Sequence, residues 1–180
     1  MRFFVVLSVL LTLAMPATAQ IAAPQGRVIV TIAGDLPSGN LPARTEEDAG
    51  FFNFLDLTYD TAVGLDDAML GGLEQHALTV PYGPYPELAF SGPRLSAVLT
   101  LAGAEGRTIQ AVALDGYAAE VTWDTITEHE PILATHGADG PLAIGGYGPA
   151  AIVFPVAEGE TLAEDLQSQQ VWALIYISVE

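Results

Sequence analysis

Glycine and proline interrupt this chain so often that long regular elements have little room. Eighteen glycines and 12 prolines are scattered along its 180 residues. Proline lacks the N–H that a helix interior or central strand donates, and glycine loses more backbone entropy than any other residue on ordering. Such a chain favours short elements joined by tight turns. The apolar stretches between the turns are rich in Val and Ile, which suit strands. With 51% hydrophobic and only 15% charged residues, there is ample material for a core and no sign of a disordered acidic tail. The expectation is an α+β, β-dominated single domain with two or three short helices against sheet.

Residues 27–33 (RVIVTIA) read as a strand ended by Gly34-Asp35, and 51–59 (FFNFLDLTY) as a second, alternating one. Residues 65–73 place Leu65, Met69, Leu70 and Leu73 at helical spacing behind two acids. A short strand at 78–80 precedes a proline-rich turn at 81–86. Leu95–Ala102 is a helix with Leu95, Val98, Leu99 and Ala102 on one face and Gly103 as its stop. Strands are expected at 108–114, Ala118–Val121, 132–136, 150–154 and Val171–Val179, with Asp115-Gly116-Tyr117 as a hairpin turn and a short helix at 162–167. Residues 37–50 read as a long surface loop.

Twenty-two acids against five arginines and no lysine give a net charge of −17. No nucleic acid partner is expected, because phosphate backbones are held by Lys and Arg. Without cysteine there is no disulfide, thiolate metal site or cysteine nucleophile. The chain opens Met1-Arg2, runs apolar from Phe3 to Met15, breaks at Pro16 and reads Ala17-Thr18-Ala19. That pattern is a secretory signal peptide, too short in its apolar part for a membrane span. Cleavage after Ala19 leaves residues 20–180 as a periplasmic or secreted domain that is not membrane-inserted.

The stretch after Phe90 resembles a known family. In order come FSGPRLSAVLTLAGAEG (90–106), AVALDGYAAEV (111–121), PILATHGADGPL (131–142), GPAAIVFP (148–155) and VWALIYISV (Val171–Val179). These are similar to segments of the oxidoreductase molybdopterin-binding domain, the sulfite-oxidase-like fold, in its small exported bacterial members. The resemblance implies that fold and a molybdopterin cofactor, with a cysteine thiolate on the metal and basic groups on the pterin phosphate. The matching region here, LTVPYGPYPEL (78–88), has no cysteine. The expectation is a cofactor-free descendant that binds a small-molecule ligand, or a periplasmic or membrane sensor or redox protein. The alternative is a molybdopterin-dependent oxidoreductase without a cysteine metal ligand.

Tyr and Trp join an apolar body to a polar tip and suit pockets and interfaces. Tyr82, Tyr85, Tyr117 and Trp123, in or beside expected loops, are the candidate ligand-binding residues, together with His136 beside the Gly137–Gly140 turn. The resemblance implies that the Tyr82–Tyr85 and Tyr117 turns border the family's cofactor cleft. No catalytic residue is assigned: there is no G-x-S-x-G elbow, and no metal site is assigned either. Glu128-His129-Glu130 lacks the helical ligand spacing of a zinc motif and reads as a solvated acidic turn. Gly145-Gly146-Tyr147-Gly148 lacks a lysine and precedes a strand, so it reads as a turn and not a phosphate cradle.

Overall fold

The computed structural model describes residues 21–82, 84–157 and 160–180; the expected signal peptide lies outside them. In chain order the described residues form β1 (Val28–Gly34), α1 (Phe51–Phe54), β2 (Ala62–Asp66), α2 (Asp67–Gly71), β3 (Gln75–Tyr82) and β4 (Tyr85–Pro93). Next come α3 (Leu95–Ala102), β5 (Ile109–Ala113), β6 (Ala118–Val121), α4 (Trp123–His129) and β7 (Ile132–Ala134). The chain finishes with β8 (His136–Gly137), β9 (Gly140–Pro141), β10 (Ala150–Val153), α5 (Glu164–Gln169) and β11 (Val171–Val179). The architecture is α+β and β-dominated.

A seven-stranded mixed sheet is organised around β11, which runs parallel to β1 and antiparallel to β5 and β10. β2, β6 and β7 extend it. A smaller sheet has the order β3-β4-β8-β9. The main core packs α3 through Leu95, Val98, Leu99 and Ala102 against residues such as Ile32, Leu65, Phe154 and Ile177. Burying each of these large side chains stabilises the fold by roughly 1.5–3 kcal/mol. A second cluster, including Val80, Tyr82, Phe90, Ile132 and Val153, ties the small sheet to β7 and β10. Among the described residues no helix is long and apolar enough to cross a membrane.

The expected helix Leu95–Ala102 and the strands Ala118–Val121 and Val171–Val179 have the bounds read from sequence. Other expectations need correction. Five helices are present among the described residues, not two or three. The strand expected at 51–59 is instead the one-turn helix α1, followed by Asp56 in the left-handed region at φ 54°. Phe52 packs edge-on against Tyr176 at 5.7 Å, whereas Phe54 is 81% exposed, so no alternating buried face exists.

Leu65 belongs to β2, which is buried along its whole length, and a strand buried on both faces leaves no alternation to read. The helix there begins only at Asp67, because the Asp66 side chain caps it by accepting from Met69 N. The turn expected at 81–86 is much tighter: Tyr82 already pairs with Tyr85. The register shifts between Val80 and Tyr82, across Pro81, where the missing N–H favours an irregularity. The Glu128-His129-Glu130 segment is not extended; it closes α4, whose N-cap Thr122 accepts from Thr125 N.

Candidate functional site

Three elements converge on an open cleft of about 440 Å³. The end of β3 supplies Pro81 and Tyr82, the β5–β6 turn supplies Asp115 and Tyr117, and β11 supplies Trp172. Thr161, Leu162, Gln167 and Gln170, in and around α5, complete the lining. The volume lies within the range of small-molecule sites, roughly 300–1,000 Å³.

Each wall has a local cause. Asp115 accepts from Tyr117 N at 2.9 Å, an Asx contact that closes the hairpin, and Gly116 takes the left-handed φ of 85° that the turn requires. The Tyr117 hydroxyl then donates to the Ser168 carbonyl, tying this turn to α5. On β11, Ala173 adopts a left-handed φ of 50° and the pairing with β10 shifts register between Ala150 and Ile152, opposite this end of the strand. Such irregularities re-aim side chains, and Trp172 beside it is 42% exposed on a strand whose centre is buried.

Behind the cleft lies an aromatic cluster. Tyr82 is 5.0 Å from Phe90, 5.3 Å from Tyr147 in an edge arrangement and 6.1 Å from Trp172. Tyr147 is itself 5.5 Å from Trp172. Edge and tilted contacts of this kind contribute about 0.5–1.5 kcal/mol each beyond area burial. Tyr147 is presented by the Ala143–Gly148 turn, in which Gly146 N and Gly148 N both donate to Ala143 O. Gly148 is obligatory there, since a β-carbon would sit 2.1 Å from Leu142 O. Burial pushes the Tyr82 phenol far above its ordinary range, with Tyr147 adding to the rise. Tyr147 is raised by burial and then by Tyr85. These phenols are neutral walls at physiological pH.

Of the sequence candidates, Tyr82 and Tyr117 line the cleft together. Tyr85 pairs across the hairpin from Tyr82 and is 53% exposed. Trp123 opens α4 and packs against the main core, and it is not one of the lining residues. His136 lies in the small sheet opposite Ser91, its Nδ1 2.9 Å from Thr135 Oγ1. Trp172, Asp115, Leu162, Gln167 and Gln170 were missed. Trp172 lies in the apolar start of VWALIYISV, where no alternation marks an outward position.

Three of the four arginines among the described residues are engaged elsewhere. Arg94 pairs with Glu130 at 3.3 Å, and Arg107 with Asp35. Arg44 donates to Asp48 O, Ala49 O and Asn53 Oδ1 and lies over the Phe52 ring. Arg27 stands just before β1. Among the described residues no three His, Asp or Glu side chains gather as a metal site. Among the described residues the cleft lining offers neither a thiolate nor a basic group, so it does not fit a molybdopterin, whose metal and phosphate call for both. No family model matches the chain, and no curated protein matches it.

Proposed function

We propose that the protein is an exported binding module, built on a sulfite-oxidase-like scaffold, that holds a small molecule in the Tyr82–Tyr117–Trp172 cleft without a molybdopterin. The observation that carries this reading is the composition of that cleft: among the described residues it has three aromatic side chains, two apolar ones, three neutral polar ones and one carboxylate, with no basic residue. A few placed polar groups on a mostly apolar concave surface are what orient a small ligand. Export rests on the N-terminal pattern of Arg2, the apolar run and Ala17-Thr18-Ala19. The scaffold assignment rests on the ordered family-like segments from Phe90 onward. In this role the loaded or empty domain would report to a membrane sensor or redox protein.

The test is native mass spectrometry of the mature domain purified from its own periplasm, alongside molybdenum analysis. A small organic molecule retained by the wild type and lost in Trp172→Ala supports the reading. Stoichiometric molybdenum, or retention of the same molecule by Trp172→Ala, overturns it.

A further inference from the structure

We propose that the cleft takes an alkylated ammonium group, the head of a small organic cation. The proposal rests on the cleft being a ligand site and adds the chemistry of what enters it. Tyr117 and Trp172, 44% and 42% exposed, give the cleft two accessible aromatic side chains. The face of an aromatic ring carries negative charge density, which attracts cations and disfavours anions. Among the described lining residues Asp115 is the one charged side chain, and it is negative. An anion entering the cleft would meet aromatic side chains and a carboxylate, with no compensating cation among the described lining residues.

A neutral ligand could donate a hydrogen bond to Asp115 but would gain no charge pairing. A bare metal ion or a primary ammonium is strongly hydrated, and this lining has a single carboxylate to replace that hydration. An alkylated ammonium spreads its charge over methyl groups, sheds water easily and packs against aromatic faces. Pro81 and Leu162 supply apolar surface for its hydrocarbon part. The net charge of −17 adds a long-range field that draws cations toward the surface and repels anions.

Asp115 is held for this work. One of its oxygens, Oδ1, accepts from Tyr117 N within the turn, fixing the carboxylate against the Tyr117 backbone. Asparagine preserves that turn contact while removing the charge, so charge and structure can be separated.

The experiment titrates the mature protein with choline and with 3,3-dimethyl-1-butanol, its neutral isostere, by calorimetry and tryptophan fluorescence. Choline is expected to bind and the isostere to bind at least about tenfold more weakly. Trp172→Ala should weaken choline about tenfold, and Asp115→Asn several-fold at an unchanged melting temperature, with the wild-type affinity falling as salt rises. Equal binding of the two probes overturns the cationic assignment and leaves the small-molecule cleft standing. Failure of choline to bind, while native mass spectrometry still finds a Trp172-dependent molecule, overturns this inference alone. Absence of both removes the cleft reading with it.

Discussion

The Tyr117 hydroxyl donates a hydrogen bond to the Ser168 carbonyl oxygen, 51 residues further along the chain, at 2.5 Å. It joins the β5–β6 turn to α5 and so sets two walls of the cleft against each other. Helix α5 fully buries none of its residues and has no side-chain cap, and Leu166 is its one side chain packed against the main core. Tyr117→Phe keeps the ring and removes this tie. The expected cost is about 1 kcal/mol, with faster amide exchange confined to residues 164–169. Unchanged exchange there would mean that α5 is held by packing alone.

Asp66 gathers three backbone donors, Gln25 N and Gly26 N at 2.7 Å each and Met69 N at 2.9 Å. The carboxylate is buried and its pKa is held below the ordinary value, chiefly by Met69 N and Gly26 N. A carboxylate lowered on folding stabilises the fold above its unfolded pKa of about 3.9. That contribution is lost as pH falls through the lower folded value. The wild type should therefore lose stability on acidification below about pH 4, and residues 21–26 should detach first. Asp66→Asn should be less stable at neutral pH and show a shallower loss in acid. A variant with the wild-type acid profile would show that the clamp contributes no pH dependence.

These relationships were legible in the chain to very different degrees. Helix α3 was readable because Leu95, Val98, Leu99 and Ala102 meet on one face and Gly103 takes the left-handed conformation, φ 78°, that ends it. Tyr82 and Tyr117, singled out because each sits beside a turn that the sequence marks, both line the cleft. Helix α4 was missed although Thr122 and Asp124 are ordinary N-terminal signals, because the acidic Glu128–Glu130 stretch after them was read as a turn. Trp172 could not be found at all. Its exposure depends on the Ala173 backbone and on long-range pairing, and neither leaves a mark in the apolar start of the strand.

Ala173 is itself a test of that geometry. Its φ of 50° places a β-carbon in the left-handed region, which costs about 1 kcal/mol for a non-glycine residue. Both backbone groups are engaged, Ala173 N donating to Tyr147 O and Ala173 O accepting from Leu114 N, each at 2.9 Å. Ala173→Gly relieves the strain but loses more entropy on folding. The net expectation is a gain of about 0.5 kcal/mol, or about 1–2 °C in Tm. A fall in Tm would mean that the strand carries no strain at this position.

Tyr82 predicts the behaviour of the protein in base. Its phenol is buried among Phe90, Tyr147 and Trp172, and its hydroxyl donates only a long 3.4 Å bond to Ile152 O. Burial first, and Tyr147 second, push its pKa upward. A phenol raised on folding contributes stability that is complete below its unfolded value of about 10. It is lost as pH climbs through the higher folded value, because only the unfolded chain ionises easily. Alkaline unfolding should therefore set in above about pH 10 and coincide with late tyrosine absorbance at the same midpoint. Tyr82→Phe removes the group that drives this limb and forfeits only a weak hydrogen bond. It should cost less than about 1 kcal/mol at neutral pH and move the alkaline midpoint upward. A midpoint that stays in place would assign the alkaline transition to Tyr147 and Tyr176, whose phenols burial also raises.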